Sequence, residues 1–169
     1  DPLKETIATD NDETKQMIMI KKISDAMNKE EHLKMIDKKK IVPFNVCTAK
    51  RSSTSESKDN SEECTEYLKD QLLGLLTLSD YMYASVDDNC KNADSKSCKN
   101  YNYLTIKNDW WLVTGNKADT STVYQVTTSG NASVVNAGNY GYVRPVIYLN
   151  SKTLYKSGNG SLEKPYKVR

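Results

Sequence analysis

The chain has one phenylalanine, one histidine and no uninterrupted run of 18 apolar residues. Without such a run there is no membrane-spanning helix within these residues, because a span needs roughly 18 or more consecutive apolar positions. The opening Asp1-Pro2-Leu3-Lys4-Glu5 has neither the basic nor the apolar region of a signal peptide. An export signal or membrane anchor is therefore expected upstream, with Asp1 an internal boundary or a processed end. The single histidine, His32, stands among charged neighbours in a helical segment. A nucleophile needs a base within hydrogen-bond reach, so no Ser-His-Asp or Cys-His arrangement is available and no enzymatic activity is expected. Charge of one sign is also missing: the net charge is +2, and lysines and acids intermingle through the first seventy residues. Phosphate-backbone binding feeds on clustered cations, so nucleic acid is not expected as a partner.

What is present is a polar, tyrosine-rich chain. Eleven tyrosines, with abundant Asn, Ser, Thr and Lys, supply amphipathic contact surface; an AT-rich genome encodes the same bias. With 169 residues, 37% apolar and 27% charged, the chain is read as one loop-rich globular domain burying roughly 70% of its extended surface. The expected division is a helical part, 1–40, and a part built of sheet and loops, 41–169.

Four cysteines permit three pairings. Cys47 and Cys64 bracket one polar interval, and Cys90 and Cys98 bracket a shorter one. No C-x₂₋₄-C knuckle is present, which argues against zinc. Two local disulfides, 47 with 64 and 90 with 98, are favoured over four reduced thiols, since the flanking Asn, Asp, Lys and Ser do not suit buried cytosolic cysteines. Disulfides persist in oxidising compartments, so an extracellular setting is expected.

Helical spacing runs from Asp12 to about Lys39 through Met17, Ile20, Ile23 and Met27, then Leu33 and Ile36 after a break at Asn28. Two helices fit better than one. Asn28 with Glu31 predicts a capping box, and Lys38 to Lys40 end the second helix where its dipole favours cations. Ile41 to Cys47 predicts a strand interrupted by Pro43. Glu66 to Asp70 predicts a helical turn, and the apolar run Leu72 to Thr77 a central strand buried on both faces. Ser79 is expected to cap a short helix bearing Tyr81, Met82 and Ala84. Strands follow at Trp110–Thr114, Val123–Thr127 and Ala132–Val135, with a turn at Ser129-Gly130-Asn131. Trp110 and Trp111 should face opposite sides, placing at least one in the core. Along Tyr142 to Leu149, alternation sets Val143, Ile147 and Leu149 against Tyr142, Arg144 and Tyr148. Pro145 should interrupt that strand, and Arg144 should be held by carboxylates or carbonyls. Helices followed by short strands indicate an α+β domain.

The closing strand with Arg144-Pro145-Val146-Ile147-Tyr148-Leu149 and the tail Gly158-Asn159-Gly160-Ser161-Leu162-Glu163-Lys164-Pro165-Tyr166-Lys167-Val168 resembles a family of bacterial secreted or surface-tethered domains. That family ends in G-x-R-P-V-I-x-L and G-x-G-[ST]-x-x-x-P-Y-x-V. Gly74 to Tyr81, Asn89-Cys90, Ser97-Cys98, Asn100 to Leu104 and Trp110-Trp111-Leu112 extend the resemblance, which spans roughly Ile41 to Arg169. It implies the C-type-lectin-like fold shared with formylglycine-generating-enzyme relatives: N-terminal helices packed on a small twisted antiparallel sheet, whose core comes from the W-W-L and R-P-V-I strands. It further implies an extracellular, usually anchored protein without catalysis. The reactive cysteines of the formylglycine-generating relatives are not matched here. Calcium-dependent sugar binding through E-P-N or Q-P-D with W-N-D is not matched either, because Asn108-Asp109-Trp110 has the wrong order. Asp87-Asp88-Asn89 is read as a solvated acidic turn, since three adjacent residues make no calcium cage. No metal and no cofactor are expected.

A binding face is expected from Asn116, Tyr124, Gln125, Asn136, Asn139, Tyr140 and Tyr142, stiff aromatic area beside adaptable amides. The reading is a non-enzymatic adhesion module on the bacterial cell surface recognising a protein or glycan, with a membrane reached only through an upstream anchor. The alternative is a structural subunit of a surface filament or pilus-like assembly, joined through the N-terminal helical segment.

Overall fold

The computed structural model describes residues 15–34, 37–51, 58, 63–64, 66–93, 95–161 and 163–169. Helix α1 (Lys15–Met27) places Met19, Ile20, Ile23 and Met27 on one buried side. The side chain of Met17, and all of Ile36, lie outside the described residues. Helix α2 (Glu30–Leu33) is a single turn whose N-cap is Lys29, without a side-chain cap. The capping box expected at Asn28 is not formed. Instead its carboxamide accepts from the amides of Leu72 and Leu73, both at 3.1 Å, and donates to the carbonyls of Ser24 at 2.9 Å and Leu73 at 3.1 Å. A side chain carrying both a donor and an acceptor satisfies a buried neighbouring backbone, and that need outweighs the cap.

Ten short strands follow. They are β1 (Ile41–Val42), β2 (Phe44–Cys47), β3 (Lys50–Arg51), β4 (Tyr67–Gln71), β5 (Trp110–Asn116), β6 (Thr122–Val126), β7 (Ala132–Asn136), β8 (Tyr148–Leu149), β9 (Tyr155–Ser157) and β10 (Lys167–Val168). The principal sheet has the order β3-β5-β6-β7, antiparallel except for the β3–β5 pair. Three two-strand ladders, β1–β8, β2–β4 and β9–β10, surround it. Helix α3 (Leu78–Tyr83) and a 3₁₀ turn at Lys96–Lys99 complete the described elements. The chain is thus an α+β domain with few helices and small sheets.

Strand β5 is the centre. All seven of its residues are buried, and each tryptophan enters a different core. Trp111 and Val113 pack with α1, Leu73, Leu75 and Val123, whereas Trp110 and Leu112 pack with α3, Leu104, Tyr124 and the Cys90–Cys98 bridge. Successive side chains of a strand alternate in direction, so one strand serves both layers.

Four sequence expectations are corrected. Residues 67–71 form strand β4 rather than a helical turn, paired with β2. Leu72 to Thr77 is buried but is not a central strand. It crosses as extended chain, joined at a Gly74–Val146 bridge and by the Val113 amide donating to the Leu76 carbonyl at 2.9 Å. Gly74 is needed there, because a Cβ would stand 2.7 Å from Val46 and 2.8 Å from Phe44. Helix α3 is capped by Thr77 in a reciprocal box with Asp80, not by Ser79. The closing segment is a strand only at β8, with bridges from Tyr142 to Trp110 and Val146 to Gly74. Its expected packed face is largely open, Ile147 and Leu149 being 41% and 46% exposed, while Val143 alone of the three leans on the first core. Pro145 has no amide to give a ladder, which breaks pairing between the two bridges.

Both expected disulfides are formed. Cys47–Cys64 and Cys90–Cys98 have Cα separations of 5.3 and 4.5 Å. They fit an oxidising, non-cytoplasmic environment. Among the described residues no helix is long and apolar enough to cross a membrane.

Candidate functional site

The expected face divides. Tyr140 and Tyr142 are exposed, at 71% and 61%, on either side of Gly141. That segment is pinned to the sheet: Gln125 Nε2 donates to the Tyr140 carbonyl at 3.0 Å, and the Trp111 amide donates to the Tyr142 carbonyl at 2.9 Å. A Cβ on Gly141 would collide with Gln125 Nε2 and stand 2.7 Å from the Trp111 ring. The glycine therefore lets the chain lie flat over the sheet while the flanking tyrosines project outward. Gln125, 4% exposed, supports this segment from beneath and offers no surface of its own.

Tyr124 and Asn116 are corrected as surface residues. Tyr124 is 3% exposed and belongs to the second core. Asn116 is buried at the far end of β5, donating to Thr122 Oγ1 at 3.0 Å and accepting from the Ala118 amide at 3.0 Å. Alternation along β6 puts Val123 and Gln125 on one side and Tyr124 on the other; with both faces of the sheet packed, tyrosine goes inside. Asn136, the last residue of β7, and Asn139, in the turn that follows, are exposed, and Asn136 Oδ1 accepts from the Gly138 amide at 2.8 Å.

A second group of tyrosines, not anticipated, lies in the loop that precedes β5. In Tyr101-Asn102-Tyr103-Leu104 exposure alternates: the tyrosines are 83% and 80% exposed, while Asn102 and Leu104 are buried. Asn102 anchors the loop by donating to the carbonyls of Tyr81 and Cys98, both at 2.8 Å, and accepting from the Leu104 amide at 2.9 Å. Period-two alternation of aromatic and polar residues at 100–104 was the available signal. Arg144 ties the two tyrosine groups together. Its guanidinium lies 4.9 Å from the Trp110 ring centre and donates to the Leu104 carbonyl. Burial lowers the Arg144 pKa, opposed by its electrostatic interaction with Tyr103. The expectation of carbonyl support for Arg144 is met.

Beside this loop is an open depression of about 470 Å³ lined by Lys99, Asn100, Tyr101, Thr105 and Ser129. The Tyr81 hydroxyl lies below its wall, donating to the Gly130 carbonyl at 2.5 Å with Thr105 Oγ1 at 3.3 Å. Gly130 has φ +75°, and a Cβ would meet Thr105 Cγ2 at 2.8 Å and Lys99 Cβ at 2.9 Å, so the 129–131 turn closes tightly on this wall. Burial raises the Tyr81 pKa, with the Thr105 hydrogen bond pulling the other way. An open, polar depression suits an edge or branch of a larger ligand rather than an engulfed small molecule.

Two further ionisable groups, Asp87 and Glu63, are engaged in structure. Asp87 accepts from Asn100 Nδ2 and from the Asn89 amide, both at 2.8 Å, and the Asn100 contact is the main reason its pKa is lowered. Glu63, 1% exposed, pairs with Arg51 at 3.0 Å and accepts from Ser79 at 2.6 Å and from Thr114. Among the described residues no group of three or more His, Cys, Asp or Glu side chains is placed to hold a metal ion. Compared with known protein families, characterised proteins and solved structures, the chain matches none of them.

Proposed function

We propose that the chain is a non-enzymatic, extracellular binding module of C-type-lectin-like architecture, acting at a bacterial cell surface and recognising a protein or glycan ligand. The observation that carries this reading is the disposition of tyrosine. Of eleven tyrosines, nine have half or more of their surface exposed, and only Tyr81 and Tyr124 are buried. Exposing that much aromatic area costs solvation unless a partner covers it, and tyrosine gives stiff contact area at small entropic cost. The contact surface in this reading is Tyr140 and Tyr142 on one side of Arg144, and Tyr101 and Tyr103 with the adjoining depression on the other. Both segments are held by buried amides, Gln125 and Asn102, so the surface is fixed before a ligand arrives. Preorganisation of that kind lowers the ordering cost of binding.

The architecture has its own support: α1 packs on the sheet, and Trp110-Trp111-Leu112 forms its buried centre. The filament reading relies on the N-terminal helix as a joint between neighbours. It is weakened by Met19, Ile20, Ile23 and Met27 being buried within their own chain.

A glycan and surface-protein array tests the binding reading. The wild-type chain should retain one ligand class, and Y140A/Y142A and Y101A/Y103A should each lower retention at least tenfold while leaving near-ultraviolet circular dichroism unchanged. Interactions that survive both double substitutions undiminished would remove this surface as the site.

A further inference from the structure

The principal sheet has two edges, and they are finished differently. At one, β3 is two residues long, both basic, and its outward amide is already bonded: the Lys50 amide donates to the Glu63 carbonyl at 3.0 Å. At the other, β7 runs from Ala132 to Asn136 in unbroken register with β6, without charge, proline or bulge. The other ladders are interrupted or minimal. Register shifts occur between Phe44 and Val46 and between Lys167 and Val168, and β1–β8 pairs only two residues from each strand. Short strands, charges, prolines and bulges are the means by which proteins keep an edge from pairing with another chain. β7 has none of them. Residues 120–143, which contain it, hold no Asp, Glu, Lys, Arg or His in a chain that is 27% charged.

The phase of the ladder shows which backbone groups face outward. The Thr127 amide bonds to the Asn131 carbonyl and the Ala137 amide to the Ser121 carbonyl, both at 2.9 Å. Residues 131, 133, 135 and 137 therefore exchange hydrogen bonds with β6, and the backbone groups of Ala132, Val134 and Asn136 point away from the sheet. Among the described residues these outward groups carry one hydrogen bond, from the Asn139 amide to the Asn136 carbonyl at 2.9 Å, which leaves the second lone pair of that oxygen.

We infer that β7 is a self-pairing edge, at which two copies of the chain join antiparallel across a two-fold axis so that their four-stranded sheets become one. A second copy is the occupant that neutrality selects. When a strand meets itself about Val134, Val134 faces its own counterpart, Ser133 faces Val135, and Ala132 faces Asn136. Any charge along such a strand would lie close to its own copy, whereas a different partner could supply the opposite charge. The net charge of +2 adds little long-range repulsion between copies. Pairing also covers Val134, which is 39% exposed in the single chain. The inference does not rest on the binding reading, since the edge is defined by backbone direction and composition alone.

Sedimentation equilibrium over a range of micromolar concentrations tests it, together with amide exchange followed residue by residue. The wild-type chain should move from 19.1 kDa toward twice that mass as concentration rises. Over the same range the Val134 amide should slow at least tenfold in exchange, while Ser133 and Val135, bonded to β6, remain protected throughout. V134P removes an outward amide without touching the β6 ladder and should abolish the dimer; V134K should do so by charge. A single-chain mass at every concentration overturns the inference. So does a dimer in which Val134 exchange is unchanged, or one that persists in a folded V134K. If V134P fails to fold, V134K and the wild-type exchange data decide the matter.

Discussion

Glu63 gathers a buried polar cluster, with Arg51 Nη2 at 3.0 Å, Ser79 Oγ at 2.6 Å, the Leu78 amide at 3.3 Å and the Thr114 hydroxyl around it. A buried pair of this kind brings little net stability over an apolar replacement, but losing one partner leaves the other charge stranded. E63A should therefore destabilise the fold by about 3–5 kcal/mol, read as a shift of the urea midpoint with the slope retained. Tyr81 gives a pH signature. Its folded pKa lies above the ordinary value near 10, so its contribution is whole below about pH 10 and is lost as pH rises through the folded value. Y81F should lose about 1 kcal/mol at neutral pH, through the missing bond to the Gly130 carbonyl, and should unfold less steeply than wild type above pH 10. Thermal denaturation of the two proteins from pH 7 to pH 11 measures both effects.

At the scale of elements, the two disulfides close loops of different length. Cys47–Cys64 closes 17 residues of sequence separation and Cys90–Cys98 closes 8. In the chain-entropy description these are worth about 3 and about 2.5 kcal/mol, so C47S/C64S should lower the melting temperature more than C90S/C98S. Calorimetry of the two variants reads the order. The sequence showed the cysteine pairing, the β5–β6–β7 meander and the first helix clearly, because each depends on local spacing: Ile20, Ile23 and Met27 on α1, Trp110 to Thr114 on β5, Gly130 in the turn. It misled where a long-range demand won. Asn28 serves the backbone of Leu72 and Leu73 rather than the next helix, Ser79 joins the Glu63 cluster rather than capping, and Glu66 to Asp70 is drawn into a strand by β2. The same cause split the candidate site. Tyr124 read as surface because strand alternation allowed it, but both faces of the principal sheet are covered, the second by segments distant in sequence. Tyr140 and Tyr142 stayed outside because Gly141 holds their backbone against Gln125 and Trp111.

For the whole molecule, the arrangement is two cores on one strand. The first gathers α1, Leu73, Leu75, Trp111 and Val123; the second gathers α3, Leu104, Trp110, Tyr124 and the Cys90–Cys98 bridge. Neither layer can lose β5 without disturbing the other, so unfolding should be a single transition despite the helical and sheet-rich parts being distinct in sequence. Because the two indoles sit back to back, 0% and 4% exposed, each is a lamp in its own compartment. W110F leaves an emitter beside the N-terminal helix, and W111F leaves one beside the Tyr81 ring, whose centre is 5.9 Å from that of Trp110. Both variants should emit at short wavelength and resist iodide quenching. Their red shifts should coincide along a urea gradient, and a lag between the two variants would overturn the single transition.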